Sequence, residues 1–141
     1  MKPRAGELDG RPTRRVRLLA AAFKEAGFPT AISSNMDAWL KTHIALVSPI
    51  ADAVYAAGGE LKILANSRFR VIAMLRSIRT AFAALRLQGL PITPARLRRI
   101  ELLPAWLLVC SCQWALRTSY AEPVVARHAT VAREEMAVLA A

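Results

Sequence analysis

A single lysine in a narrow polar stripe is the residue of this chain best placed to do chemistry. Lys41 lies in residues 35–59, which read NMDAWLKTHIALVSPIADAVYAAGG. Asn35 is a helix-capping residue type, since its side chain accepts from backbone N–H groups that have no helical partner. Gly58-Gly59 is a stop signal, because glycine enters the left-handed conformation without steric cost. Between the two, Met36, Trp39, Leu40, Ile44, Val47, Ile50, Ala51 and Val54 recur at three- and four-residue steps. That spacing predicts a helix that buries those eight side chains. Asp37, Lys41, Ala45, Ser48 and Asp52 fall on the opposite face. An ammonium in such a stripe can donate a proton, or balance negative charge that develops on an oxygen. Pro49 removes one backbone hydrogen bond and predicts a bend in the same helix.

Two other groupings carry possible chemistry. His128 and Glu135 lie seven residues apart, two turns along one helical face, with Glu134 beside them. A His–Glu pair can do acid–base work or bind a polar substrate. The alternative is a surface helix supported by charge pairs one turn apart. Cys110 and Cys112 form a C-x-C inside an apolar helix. A zinc site takes about four ligands, and His43 and His128 are distant in sequence, so no metal site is expected. Reduced, buried thiols fit a cytoplasmic protein.

The elements that must position these groups are helical. Of the 141 residues 55% are hydrophobic, which argues against disorder despite a formal charge of +10. Alanine, leucine and arginine are abundant and no run of alternating β-branched residues occurs, so the fold class is all-α, a single helical domain of about six to seven helices. Residues 1–12, rich in glycine, proline and charge, read as a linker or the remnant of a preceding domain, and 13–141 as the helical domain. Thr13 caps a helix over about Arg14–Ala26, with Val16, Leu19, Ala20 and Phe23 inward and Gly27 at its stop. Residues 28–33 are extended, because Pro29 biases its predecessor away from helix, but no partner strand is evident in the chain. A short helical turn at 60–65 precedes a long helix from about Ser67 to Gln88. Thr93-Pro94 opens the next helix, with threonine as cap and proline at the first position. Pro104 begins another, and a last helix runs over about 124–140.

The charge is concentrated. Between Leu61 and Ile100, nine basic residues meet no acid. On the long helix Val71, Met74, Leu75, Ile78, Phe82 and Leu85 form the buried arc, and Arg68, Arg79 and Arg86 run along its edge at roughly 100° per residue. Such an edge is a solvated flank or the wall of a groove for an anionic group. Phe69 and Phe82 are the only aromatic residues among these basic ones, fewer than base stacking would want, so no nucleic-acid partner is expected. No membrane partner is expected either. Residues 102–116 are apolar but too short to cross roughly 30 Å of hydrocarbon, so they read as a buried helix, and no signal peptide is evident.

Three pieces in order carry a resemblance: GELDGR at 6–11, KEAGFPTAIS at 24–33, and MDAWLKTHIALVSPIADAVY at 36–55. With LRLQGLPITP and the H-x6-E ending, they resemble the C-terminal helical domain of the ketopantoate reductase family, in a divergent branch. That resemblance implies an NADP-dependent oxidoreductase that reduces a 2-oxo acid to a 2-hydroxy acid on the route to pantothenate. It assigns Lys41 as the catalytic proton donor and places Ser48, Glu135 and His128 at the substrate. It also implies a homodimer. The chain departs from the family where Ala45 stands in place of an asparagine one turn after the lysine, and Ser48-Pro49 in place of Asn-Pro. No G-x-G-x-x-G occurs in the chain, so no cofactor-binding residue is assigned. The NADP(H) that the family uses would come from a separate Rossmann-domain chain, and this chain, truncated or split, would be inactive alone. The alternative function is a non-enzymatic helical module for dimerisation or protein interaction, with Lys41 a relic.

Overall fold

A computed structural model describes residues 4–118. Its first unit is a miniature strand–helix–strand. Strand β1 (Arg4–Ala5) pairs in parallel with β2 (Ala31–Ile32), in the register Arg4 to Ala31 and Ala5 to Ile32, and helix α1 (Arg14–Glu25) connects them. The extended segment at 28–33 therefore has a partner strand in this chain, contrary to expectation. It comes from the stretch read as a linker. A two-residue strand carries no periodic signal, so nothing in the sequence pattern marks Arg4–Ala5 as its partner. Thr13 caps α1 as expected, its Oγ1 accepting from the Val16 N–H at 3.3 Å. Val16 and Ala20 are buried under the two strands, whereas Leu19 and Phe23, also expected inside, stay more than two-fifths exposed. They line an open cavity of about 550 Å³ with Ala5, Thr30 and Met36.

The rest is a helical array. Helix α2 (Met36–Ala56) starts at Asn35, whose Oδ1 accepts from the Ala38 N–H at 3.2 Å, and runs unbroken through Pro49. Helices α3 (Leu61–Asn66) and α4 (Arg68–Leu87) follow. A 3₁₀ turn over Ala95–Arg98 leads into the short α5 (Arg99–Leu102), and α6 (Ala105–Arg117) closes the described chain. The architecture is all-α, and the β1–β2 pair is its one piece of sheet among the described residues. None of the described helices is long and apolar enough to cross a membrane. Pro94 takes the cap position of the 3₁₀ turn, and the Thr93 hydroxyl turns back to the Pro91 carbonyl instead of capping.

Helix α4 buries the arc its spacing predicts. Val71, Met74, Leu75, Ile78 and Phe82 are all in the core, with Leu85 packed against it. Around α4 gather Val54 and Ala57 of the α2 end, Leu61 and Leu64 of α3, Ile92, and Leu108 and Val109 of α6. Two arginines of the expected edge act as clamps. Arg79 donates from Nε to the Ile100 carbonyl at 2.8 Å and from Nη2 to the Leu103 carbonyl at 2.6 Å. Arg86 pairs with Glu101 at 2.6 Å. Both hold the 95–103 segment against α4.

Helix α2 is turned differently from its hydrophobic spacing. Ala38, Thr42 and Val54 are buried, with Ala45, Leu46, Ile50 and Ala53 against the core, while Leu40, Ile44 and Val47 face outward. The physical reason is the run of small residues Ala38, Thr42 and Ala45 one turn apart. A narrow face lets a neighbouring backbone come close, and here residue 93 does so: the Thr42 Oγ1 donates to the Ala38 carbonyl at 2.7 Å and accepts from the Thr93 N–H at 3.3 Å. That double bond to backbone holds Thr42 fully buried. Helix α6 was expected to be buried throughout, yet only Leu108 and Val109 are. Trp106, Leu107, Cys110 and Trp114 are exposed.

Candidate functional site

Lys41 stands on the outer face of α2 with its side chain 47% exposed, its Nζ donating to Asp37 Oδ2 at 2.8 Å. The partner is one turn earlier, the spacing that brings an acid and a base together on a helix. Exposed pairs of this type contribute only about 0.3–0.5 kcal/mol, so the ammonium is readily released to another acceptor. Ser48, also exposed, follows two turns later on the same side, a rise of about 10 Å. Between them Ala45 leans toward the core. Beside this polar edge lies the aliphatic stripe of Leu40, Ile44 and Val47, with Ile44 62% exposed. On the far side of that stripe, Trp39 and His43 stack at 5.2 Å with nearly parallel rings. Structure thus places Lys41 and Ser48 along one exposed edge of one helix. His128 and Glu135 lie outside the described residues.

A second polar cluster ties down the first residues of the chain. The Glu7 carboxylate accepts from the Thr13 hydroxyl at 2.7 Å and from Arg15 at 2.6 and 3.2 Å. Arg15, and after it Thr13, holds the Glu7 carboxyl below the usual carboxylate range, and Glu7 raises Arg15 in return. On either side, Gly6 and Gly10 pack their bare Cα atoms against the Ser33 and Ser34 carbonyls, and Gly10 has φ 77°. The GELDG stretch is therefore a backbone-to-backbone latch onto the 33–34 turn. It escaped the sequence reading because Glu7 and Arg15 are eight residues apart across a loop, a spacing with no periodic meaning. Asp37 carried a legible signal in its four-residue step to Lys41.

Phosphates favour the free N–H groups at a helix start approached by a glycine turn. Here the start of α1 already has its own carboxylate, Glu7, bonded to the capping Thr13. The shallow cavity beside it is lined by Glu7 and Asp9 along with Arg15. A phosphate brought there meets Glu7 and Asp9 as well as Arg15.

A cavity of about 160 Å³ between α4 and α6 is floored by Ile72, Leu75, Leu108 and Val109 and edged by Arg68, Arg76 and Arg79. Arg79 is committed to the two carbonyls described above. Among the described residues no three metal-ligating side chains come together. The two thiols differ: Cys110 is exposed, not buried as expected, while burial pushes the Cys112 thiol up. Tyr55 buries its hydroxyl with no hydrogen-bond partner among the described residues. The chain matches no protein-family model, no curated protein and no solved structure.

Proposed function

We propose that the outer edge of α2 is the substrate side of a two-part oxidoreductase that reduces a 2-oxo acid to a 2-hydroxy acid. In this reading the chain is the helical domain of a ketopantoate-reductase-like enzyme, and a separate Rossmann-domain chain binds NADP(H) and brings the reducing equivalent. The observation that carries it is the pairing of a lysine edge with an open aliphatic stripe. Leu40, Ile44 and Val47 form an apolar surface that a docking partner can cover. Covering it withdraws water from Lys41, whose field at a ketone oxygen then grows as the local dielectric falls. Lys41 holds the proton that passes to that oxygen, and Ser48 offers a hydroxyl donor two turns away. Asp37 keeps the ammonium in place until the substrate takes over as acceptor.

The test mixes the full chain with any Rossmann-domain protein found encoded beside its gene, and follows NADPH absorbance with branched 2-oxo acids. NADPH oxidation above background that Lys41→Ala abolishes supports the reading. No oxidation, or a rate unchanged by Lys41→Ala, rejects it.

A second reading is a non-enzymatic helical module that self-associates. The exposed tryptophans of α6 favour it, because large aromatic side chains left in water mark interaction surfaces. Sedimentation of the purified chain decides: concentration-dependent association supports this reading, and a monomer at submillimolar concentration removes it.

A further inference from the structure

Residues 102–116, LLPAWLLVCSCQWAL, contain no charged side chain, in a chain where 21% of residues are charged. Helix α6 occupies most of that stretch and uses one side, Leu108, Val109, Cys112 and Leu116, against the core. Its other side presents Trp106, 62% exposed, Trp114, 72% exposed, Leu107 and the exposed thiol of Cys110. Two largely exposed tryptophans on one short helix are unusual for a surface where nothing binds.

The spacing is symmetric. Trp106 and Trp114 each lie four residues from Cys110, so at 100° per residue they flank it by about 40° on either side and about 6 Å along the axis. A face whose pattern reads the same in both directions is self-complementary under a two-fold axis through its centre. Set antiparallel to a copy of itself, α6 brings Trp106 of one chain against Trp114 of the other, twice. The helix dipoles then oppose each other favourably. The absence of charge from 102 to 116 matches the charge-depleted core of an interface.

We infer that two copies of this chain associate through antiparallel α6 helices, with Cys110 facing Cys110 of the second copy at the two-fold axis. This deepens the self-association reading by naming its surface. The exposed parts of the two tryptophans and Leu107 amount to about 400 Å² per chain, and with the surrounding rim a pair buries about 1,000 Å² in all. That is the lower limit for a specific interface and fits a weak, reversible dimer. Axes 8–10 Å apart, with Cα atoms at a radius of about 2.3 Å, leave facing Cα atoms about 3.4–5.4 Å apart, the wider part of which overlaps the disulfide range. Disulfides need about 4.4–6.8 Å, so the two Cys110 thiols are within bonding reach, while Cys112 faces the core.

The experiment oxidises the full chain with copper phenanthroline at micromolar concentration and resolves the products on a non-reducing gel, alongside sedimentation velocity. Wild type and Cys112→Ser are expected to give covalent dimer, and Cys110→Ser none. Trp106→Glu with Trp114→Glu should weaken association about tenfold or more, the loss of two central aromatic anchors. Cross-linking at Cys110 needs no change to the tryptophans, so it decides even where the double variant fails to fold. A chain that dimerises in the centrifuge but does not cross-link through Cys110, or cross-links equally through Cys112, overturns this surface and leaves the self-association reading standing. A monomer that does not cross-link overturns both.

Discussion

Replacing Arg79 by methionine isolates what the arginine edge of α4 does. Methionine keeps an apolar stem of similar length against α4, so the change removes mainly the guanidinium. That group donates to the Ile100 and Leu103 carbonyls at 2.8 and 2.6 Å. Both carbonyls sit at the end of α5, where helical partners run out. Hydrogen bonds from a charged donor contribute about 1.5–3 kcal/mol each. The carbonyls are only half-buried and regain water when the arginine leaves, so the expected net loss for the pair is about 2–3 kcal/mol. For a chain of this size that lowers Tm by about 8–12 °C. Urea unfolding followed by circular dichroism reads it as a lower midpoint at unchanged slope. Arg79→Lys should recover part of the loss, since an ammonium serves one carbonyl well but cannot fork between two. Arg76→Met, on the exposed side of the same helix, should cost under about 0.5 kcal/mol. Equal losses at 76 and 79, or a loss below about 0.5 kcal/mol at 79, would refute the clamp and return Arg79 to the role of a solvated charge.

Gly10→Ala should destabilise the chain by about 1–3 kcal/mol, because its Cβ runs into the Ser34 carbonyl and its φ of 77° is strained for alanine; a thermal melt equal to wild type would contradict the latch. Tyr55→Phe should be neutral or stabilising by up to about 1–2 kcal/mol, since it removes a buried hydroxyl that has no partner among the described residues, and a clear loss in urea midpoint would mean the hydroxyl is bonded after all. Glu7 gives a pH signature. Its carboxyl is held low in the folded chain, so its contribution is complete above the unfolded value of about 4.3 and disappears as pH falls through the lower folded value. The stability gap between wild type and Glu7→Gln should therefore shrink on acidification, and a gap that is flat or widens toward acid speaks against the Arg15 and Thr13 contacts.

The helices were legible where one face is distinctly apolar and long. In α4 the apolar positions occur at helical steps, Ser67 caps the start and the buried arc is as the spacing predicts. In α2 the same method placed Ile50 and Val54 correctly but put Leu40, Ile44 and Val47 inward, where the structure has Ala38, Thr42 and Ala45. Size was the missing consideration: Leu40, Ile44 and Val47 are more hydrophobic than Ala38, Thr42 and Ala45, but the smaller residues admit the close approach of residue 93 that the larger ones would block. Hydrophobic spacing counts transfer free energy and is blind to how near a neighbour must come. In α6 the difficulty was the reverse. Both sides are uncharged, so the pattern could not separate the side that meets the core, at Leu108 and Val109, from the side left exposed.

That error on α2 bears directly on the candidate site. A lysine opposite a buried aliphatic face would stand alone in water, with nothing beside it to shape a pocket. With the helix turned as it is, Lys41 and Ser48 border the exposed stripe of Leu40, Ile44 and Val47. The residue type and its four-residue step from Asp37 were readable; the neighbouring apolar surface was not, because it exists only once α2 has docked through its small residues. The α2 and α6 faces are separately testable for the same reason. Lys41→Ala removes a charge at the edge of one, and Trp106→Glu with Trp114→Glu the anchors of the other, so NADPH oxidation and self-association can be lost independently. If Lys41→Ala abolished self-association as the tryptophan changes do, the two faces would have to be parts of one surface, and the separate assignments of docking partner and dimer would both fail.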